Sequence, residues 1–182
     1  AFCTPILSHE LSHLFENIGT ADESKAYHIH ADFLIVVDGQ EIDLSPDNFM
    51  SVAERILHPH VHLHDNNGKV IHFHAPNVTL KEFLSSLHIE LTKDCLTIEE
   101  QTSCNTDGKE LSLYVTGELK TDQLESYVPS DEDKILLFYG APVAEVINSN
   151  LEKITDNACF YSGTCLERGV APSESCGLTC EL

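Results

Sequence analysis

Two runs of alternating histidine and apolar residues within 58–74 predict a β-hairpin. Alternation is the period of strands that bury one face, and the Asn-Asn-Gly at 66–68 is typical of a turn because these residues tolerate positive φ. A three-residue loop at 66–68 pairs Asp65 with Lys69 and keeps every imidazole on one face, whereas a slip by one residue would mix the two faces. The opposite face then carries Val61, Leu63, Ile71 and Phe73.

Residues 27–44 predict a second hairpin, with its turn at Asp38-Gly39. A two-residue turn at this position pairs Ile35 with Ile42. The apolar face then holds Ile29, Phe33, Ile35, Ile42 and Leu44, and the other face holds His28, His30 and Asp32. Histidines on the non-core face of both hairpins would be an odd coincidence for mere surface polarity.

Helices are predicted in four other places, at three of them from apolar residues at helical spacing and at 47–57 from the Ser-Pro-Asp opening at 45–47. They cover 5–18, 47–57, about 79–87 and a stretch after Gly140 marked by Val143, Ile147, Leu151 and Ile154. Asn77 or Thr79 is the expected cap of the third helix. The predicted fold class is therefore α+β. Its parts are an N-terminal helix and linker at 1–26, a β-hairpin core at 27–140, and a C-terminal helix with a cysteine-rich tail at 141–182.

The order of elements from His60 to Gly140 is hairpin, helix, strand and strand. After the helix come an alternating strand at 111–115 followed by Thr-Gly, a Leu-x-x-Tyr segment at 124–127, and a last apolar strand at 134–139. This order resembles the ubiquitin-like β-grasp fold over roughly residues 60–140. The resemblance implies a fold and no function, because one fold hosts many functions. Gly140 is followed by Ala141 and further chain where ubiquitin-like conjugators and sulfur carriers end in Gly-Gly, so neither activity is expected.

The composition adds a strong negative charge to this picture. The 182 residues include 30 acidic and 10 basic side chains, for a formal net charge of −20. Nucleic-acid binding rests on Lys and Arg, so a nucleic-acid partner is not expected. Bound cations would offset the repulsion among the negative charges of this chain. No stretch of the sequence is apolar for the length of a membrane span.

Seven cysteines predict an oxidising compartment. Cys95 and Cys104 bracket a polar loop and suggest a local disulfide. Four more lie in the tail, where three connectivities are possible: Cys159, Cys165, Cys176 and Cys180. The last two could instead bind zinc, although disulfides are favoured. Cys3 is the best candidate for the odd cysteine, or it pairs with a tail cysteine. The chain begins without Met, and we expect a secreted or cell-surface protein in its mature form.

Six of the eleven histidines fall within 58–74. In the predicted register His62 faces His72 and His60 faces His74, at spacings that let four imidazoles converge on one or two metal ions. Further candidate ligands are His58, His64, His28, His30 and Asp32. Copper is the first expected metal and zinc the second, because imidazole suits both and Cu(II) leads the divalent affinity order. The alternative is that the histidines are solvated polar surface.

A His-Glu-x-x-His pattern occurs at His9, Glu10 and His13. In zinc metalloproteases this spacing gives two ligands one helical turn apart and a general base. No convincing third ligand follows, so a zinc hydrolase is the weakest of the functions considered. An ancillary metal site or a solvated helix face explains the pattern better.

Together these patterns predict an extracytoplasmic transition-metal-binding protein that is not an enzyme. The main alternative is a structural subunit of an extracellular oligomer or filament, in which histidines of neighbouring copies share metal and the tail interlocks them. The two functions differ in whether the metal is carried or joins the copies.

Overall fold

The computed structural model describes residues 27–171, and within them the chain is mixed α+β with two sheets. The strands are β1 Ile29–Val37, β2 Gln40–Glu41, β3 Val61–His62, β4 Val70–Phe73, β5 Ile89–Leu91, β6 Cys95–Ile98, β7 Gln101–Cys104, β8 Glu110–Val115, β9 Glu118–Leu119 and β10 Lys134–Gly140. The helices are α1 Leu80–Ser86, α2 Ala144–Leu151 and α3 Ala158–Ser162, with 3-10 turns at Asp47–Phe49, Thr121–Gln123 and Leu166–Arg168. The predicted N-terminal helix lies outside the described residues, as do His9, His13, Cys3, Cys176 and Cys180.

The large sheet has seven strands in the order β3-β4-β1-β10-β8-β9, with β2 paired to the end of β1. β1 and β10 are parallel neighbours at its centre, and the other pairs are antiparallel. Residues 33–36 form an unbroken apolar run in β1 and are all buried. A strand with this composition is typically covered on both faces, and β1 is.

The register of both hairpins was predicted correctly. In the 58–74 hairpin, His62 lies opposite His72. In the other, the turn at Asp38-Gly39 sets Val36 opposite Glu41, and the Ile42 amide donates to the Ile35 carbonyl as the predicted register requires. The tip of the hairpin at 58–74 differs from the prediction, because no ladder pair joins Asp65 to Lys69 within the described residues.

The loop of the 58–74 hairpin is longer than three residues because the residue after β3 pairs with a different segment and not with β4. Leu63 bridges Met50 in parallel, and the Leu63 carbonyl accepts a 2.8 Å hydrogen bond from the Ser51 amide. The chain then reverses through Asp65 and Asn66, both at φ 56°. Positive φ at two successive residues is a turn suited to a right-twisted hairpin, and an Asn or Asp side chain tolerates it.

The predicted helix at 47–57 was wrong. Only Asp47–Phe49 forms a 3-10 turn, and Met50 continues with extended backbone. Met50 instead forms a bridge to Leu63 and is buried, while Val52 and Ile56 are exposed. A tertiary strand contact has overridden a local helical pattern.

The predicted helix near 79–87 is α1, and Thr79 is its cap. The Thr79 hydroxyl accepts from the Glu82 amide, and the Glu82 carboxylate accepts from the Thr79 amide at 2.7 Å, which is a complete capping box. The buried Leu80, Phe83 and Leu84 face the large sheet, where the Phe83 ring lies 5.6 Å from that of Phe33 in an edge-to-face arrangement. This layer is the main core.

The segment between Cys95 and Cys104 was expected to be a polar loop and is instead part of a three-stranded sheet, β5-β6-β7. The two cysteines lie directly opposite each other in the β6–β7 ladder and form the predicted disulfide, with Cα atoms 4.1 Å apart. The small sheet contributes Ile89, Leu91 and Leu96 to the main core.

The second face of the large sheet is covered by the C-terminal segment. Leu34, Val36, Leu136 and Phe138 of the central strands pack with Ile147 and Ile154. The predicted C-terminal helix is α2, which ends at Leu151. Beyond it, α3 carries one end of a disulfide between Cys159 and Cys165, which is one pairing among those the sequence left open.

The resemblance to the β-grasp fold stays a prediction. The central parallel pair consists of β1 and β10, so the first strand of such an arrangement would be β1 and not a strand of the 58–74 hairpin. Within residues 27–171, no helix combines the length and the apolar character that a membrane crossing requires.

Candidate metal centre

Three neighbouring strands place histidines side by side on the second face of the large sheet. His30 of β1 lies opposite His72 of β4, which in turn lies opposite His62 of β3. Opposed residues of adjacent strands have Cβ atoms roughly 5 Å apart on one face. The ladder therefore builds a row of three imidazoles across the sheet, and all three are fully buried.

Within residues 27–171, one group of three histidines has the geometry to hold a metal ion: His28, His30 and His72. One ligand nitrogen from each lies within 4.8 Å of the others. In a tetrahedral site with nitrogens at about 2.0–2.1 Å from the ion, two ligand nitrogens are roughly 3.3 Å apart. The three rings therefore have to move closer together when an ion binds. His28 is exposed and the other two are buried, so the group has one open side.

Further imidazoles extend this group. Ring centroids of His28 and His74 are 4.4 Å apart, those of His62 and His74 are 4.8 Å apart, and those of His64 and His72 are 4.0 Å apart. We call the contiguous set the imidazole cluster. It consists of His28, His30, His62, His64, His72 and His74. Its members differ in exposure, with four buried, His74 half-buried and His28 at the surface.

The expected quartet of His60, His62, His72 and His74 is not the group that the structure assembles. His60 is exposed, its ring lies 6.0 Å from that of His58, and its amide donates to His58 Nδ1 at 3.2 Å. Burial is the main cause that lowers the pKa of His58, and His60 lowers it further while Glu82 opposes the shift. These two histidines form an outer pair, and the cluster instead includes His30 of β1 and His28, which immediately precedes it.

Asp32, a candidate ligand in the sequence, has another set of partners. Its carboxylate is buried and accepts hydrogen bonds from the Thr155 hydroxyl, the Asn157 amide at 3.0 Å and the Ala158 amide at 3.0 Å. These donors are at the start of α3, where unpaired amides favour a negative charge. Asp32 thus ties α3 to the strand that carries His30.

The segment held by Asp32 covers the imidazole cluster. The Tyr161 ring lies 5.1 Å from that of His72 and 5.6 Å from that of His30, and its hydroxyl accepts from the Asn67 side chain at 3.3 Å. Ser162 contacts His30 Nδ1 at 2.8 Å. Sequence reasoning missed both residues, because a short helix in a cysteine-rich tail has no periodic signal. The one available hint was the apolar run of β1, which requires cover on both faces.

The His-Glu-x-x-His pattern lies outside the described residues, and so do three of the seven cysteines. Within residues 27–171 the site consists of imidazoles, with one aromatic ring and one hydroxyl beside them. Neutral imidazole is a common ligand of zinc, copper, iron and nickel. Searches with the sequence and with the fold found no known family, curated protein or solved structure that matches this chain.

Proposed function

We propose that this chain is an extracytoplasmic transition-metal-binding protein, and that it binds without catalysing a reaction. The observation that carries the proposal is the convergence of His28, His30 and His72. His30 and His72 are paired across the β1–β4 ladder, and His28 immediately precedes β1, so the sheet holds two of the three ligands before an ion enters. The two disulfides agree with a protein outside the reducing cytosol.

Copper is the first metal we propose and zinc the second. A site made only of imidazoles lacks the carboxylate oxygens that Ca²⁺ and Mg²⁺ require. Among divalent ions, affinity for nitrogen ligands peaks at Cu²⁺. The net charge of −20 favours the binding of any cation, and the imidazoles favour transition-metal ions among them.

The test is elemental analysis of the untagged protein after equilibration with Cu²⁺ or Zn²⁺ and dialysis. We expect at least about one ion per chain above pH 7, and loss of the ion as the pH falls below roughly 6, because protons compete for the ligand nitrogens near the ordinary imidazole pKa of roughly 6.5. Ca²⁺ treated in the same way is the control and should be removed by dialysis. A chain that retained neither copper nor zinc at neutral pH would contradict the proposal.

A second candidate function is assembly of copies through shared metal and through the tail. The observation that favours it is the exposure of His28 and His60, which offers imidazoles to another molecule. The cysteines add a parity argument. The two disulfides use four of the seven cysteines, so an odd number is left to form a bridge between copies, a free thiol or a metal-bound thiolate.

If the chain assembles in this way, its mass in solution will depend on metal and on disulfides. We expect light scattering to show an oligomer that EDTA reduces in size and that EDTA with a thiol reductant converts to single chains. Replacing both His58 and His60 by Ala should weaken the metal-dependent part alone. The mass of one chain under every condition would leave a monomeric metal carrier as the better account.

A further inference from the structure

The hydrogen bonds around His30 determine which of its ring nitrogens carries the proton. The Ser162 hydroxyl donates to Asp131 Oδ1 at 2.6 Å, because a carboxylate can only accept. Ser162 Oγ has then used its single hydrogen, and its 2.8 Å contact with His30 Nδ1 requires the ring to donate. The same Asp131 oxygen accepts from the His30 amide at 3.0 Å, which fixes the carboxylate beside the ring.

A comparable chain of hydrogen bonds ends at His72. Asp65 Oδ2 lies 2.8 Å from His64 Nδ1, so this nitrogen carries a proton and donates. In a neutral His64 ring the other nitrogen, Nε2, then holds a lone pair. It lies 3.2 Å from His72 Nδ1, and the contact is a hydrogen bond only if His72 Nδ1 donates.

The hydrogen bonds around His30 and those around His72 place the ring proton on the same nitrogen, Nδ1, although they involve different parts of the fold. A neutral imidazole protonated at Nδ1 has its one ring lone pair at Nε2. His30 and His72 are the two buried members of the candidate metal group. His30 therefore has Nε2 as its ligand atom, and so does His72 when His64 is neutral.

We propose that Ser162 with Asp131, and His64 with Asp65, are positioning residues that hold His30 and His72 in the tautomer that presents Nε2 to the metal. Their role in affinity rests on the proposed function, while the tautomers themselves do not. Partners of this kind orient a ligand ring and raise its basicity, and their loss typically lowers metal affinity by about 10–100-fold.

Through Ser162, the C-terminal segment is part of the metal centre. Ser162 is the last residue of α3, which Asp32 caps and the Cys159–Cys165 disulfide closes. Asp131 comes from the loop before β10, whose Glu132 amide donates to the His30 carbonyl at 2.8 Å. Two separate segments thus contact His30, with Ser162 at its ring Nδ1 and Asp131 at its amide.

The tautomers can be measured directly in the metal-free protein. Long-range ¹H–¹⁵N correlation spectra of ¹⁵N-labelled full chain at pH 7.5 should show His30 and His72 protonated at Nδ1, with Nε2 at the shift of an unprotonated nitrogen. An Nε2-protonated form of either ring would overturn the proposal for that ring. This readout does not require any metal to bind.

Substitution tests the effect on affinity. Ser162→Ala and Asp65→Asn should each weaken Zn²⁺ binding by about 10-fold or more with unchanged stoichiometry, whereas Ser162→Thr, which keeps the hydroxyl, should restore the parent value. Ser126→Ala and Asp107→Asn are matched controls on exposed positions and should not change affinity. Parent affinity in both test variants would overturn the positioning role and leave the proposed function intact. A parent chain that bound no metal would overturn the proposed function and, with it, any role of these residues in affinity.

Discussion

Replacing both His30 and His72 by Ala will lower the affinity for Cu²⁺ and Zn²⁺ by about four orders of magnitude. Four-ligand zinc sites are worth about 10–16 kcal/mol, or roughly 3 kcal/mol for each ligand. Loss of two ligands therefore costs about 6 kcal/mol, and each 1.4 kcal/mol is a factor of ten. The two residues are the buried members of the only group of three that meets the metal geometry within residues 27–171. The measurement is a competition titration against a chromophoric chelator.

The matched control removes the same number of histidines from the outer pair. Replacing His58 and His60 by Ala should leave the affinity of the cluster within a few-fold of the parent value, because His60 is exposed and its ring contact is with His58. Circular dichroism of both variants checks that the sheet is retained. Loss of binding in the control with retention in the His30 and His72 variant would place the site at the outer pair.

Asp32→Ala will lower the free energy of unfolding by about 3 kcal/mol and release the C-terminal segment from the sheet. Hydrogen bonds to a charged group contribute about 1.5–3 kcal/mol each, and loss of a helix cap costs about 1 kcal/mol. Because part of this gain offsets the burial of the carboxylate, the net loss is smaller than the sum. Urea unfolding gives the free energy, and amide hydrogen exchange over residues 155–165 reports the release.

Two variants calibrate this result. Asp32→Asn keeps one acceptor oxygen and should fall between the parent and Asp32→Ala. Asp94→Ala removes an exposed carboxylate whose partner Lys93 is 3.6 Å away, and such pairs contribute at most about 1 kcal/mol. If Asp32→Ala unfolded at the same urea concentration as Asp94→Ala, with parent exchange rates in α3, Asp32 would have no anchoring role.

The elements that could be predicted are those specified by residues close together in the sequence. Alternation around a turn set the register of both hairpins, since a slip by one residue moves every side chain to the other face. The start of α1 was predicted with Asn77 or Thr79 as its cap, and the structure shows Thr79 in that role. The disulfide between Cys95 and Cys104 followed from nine positions of separation, although the strands between them were taken for a loop.

The metal group could not be predicted because it depends on which hairpins are neighbours. Each hairpin was interpreted alone, and His28 and His30 were only further candidates. The pairing of β1 with β4 brings His30 opposite His72, and no local pattern encodes that contact between residues 42 positions apart. The helix expected at 47–57 failed for the same reason, since Met50 is paired with a residue from the later hairpin.

The disulfide of the covering segment has a consequence for how the protein must be prepared. Cys159 and Cys165 are six positions apart and enclose Tyr161 and Ser162, which contact the imidazole rings. Thiol reductants attack disulfides, and the cytosol keeps thiols reduced. Protein expressed in the cytosol, or purified with a thiol, will therefore have a looser covering segment and retain less metal than protein exported through an oxidising compartment, with every histidine intact.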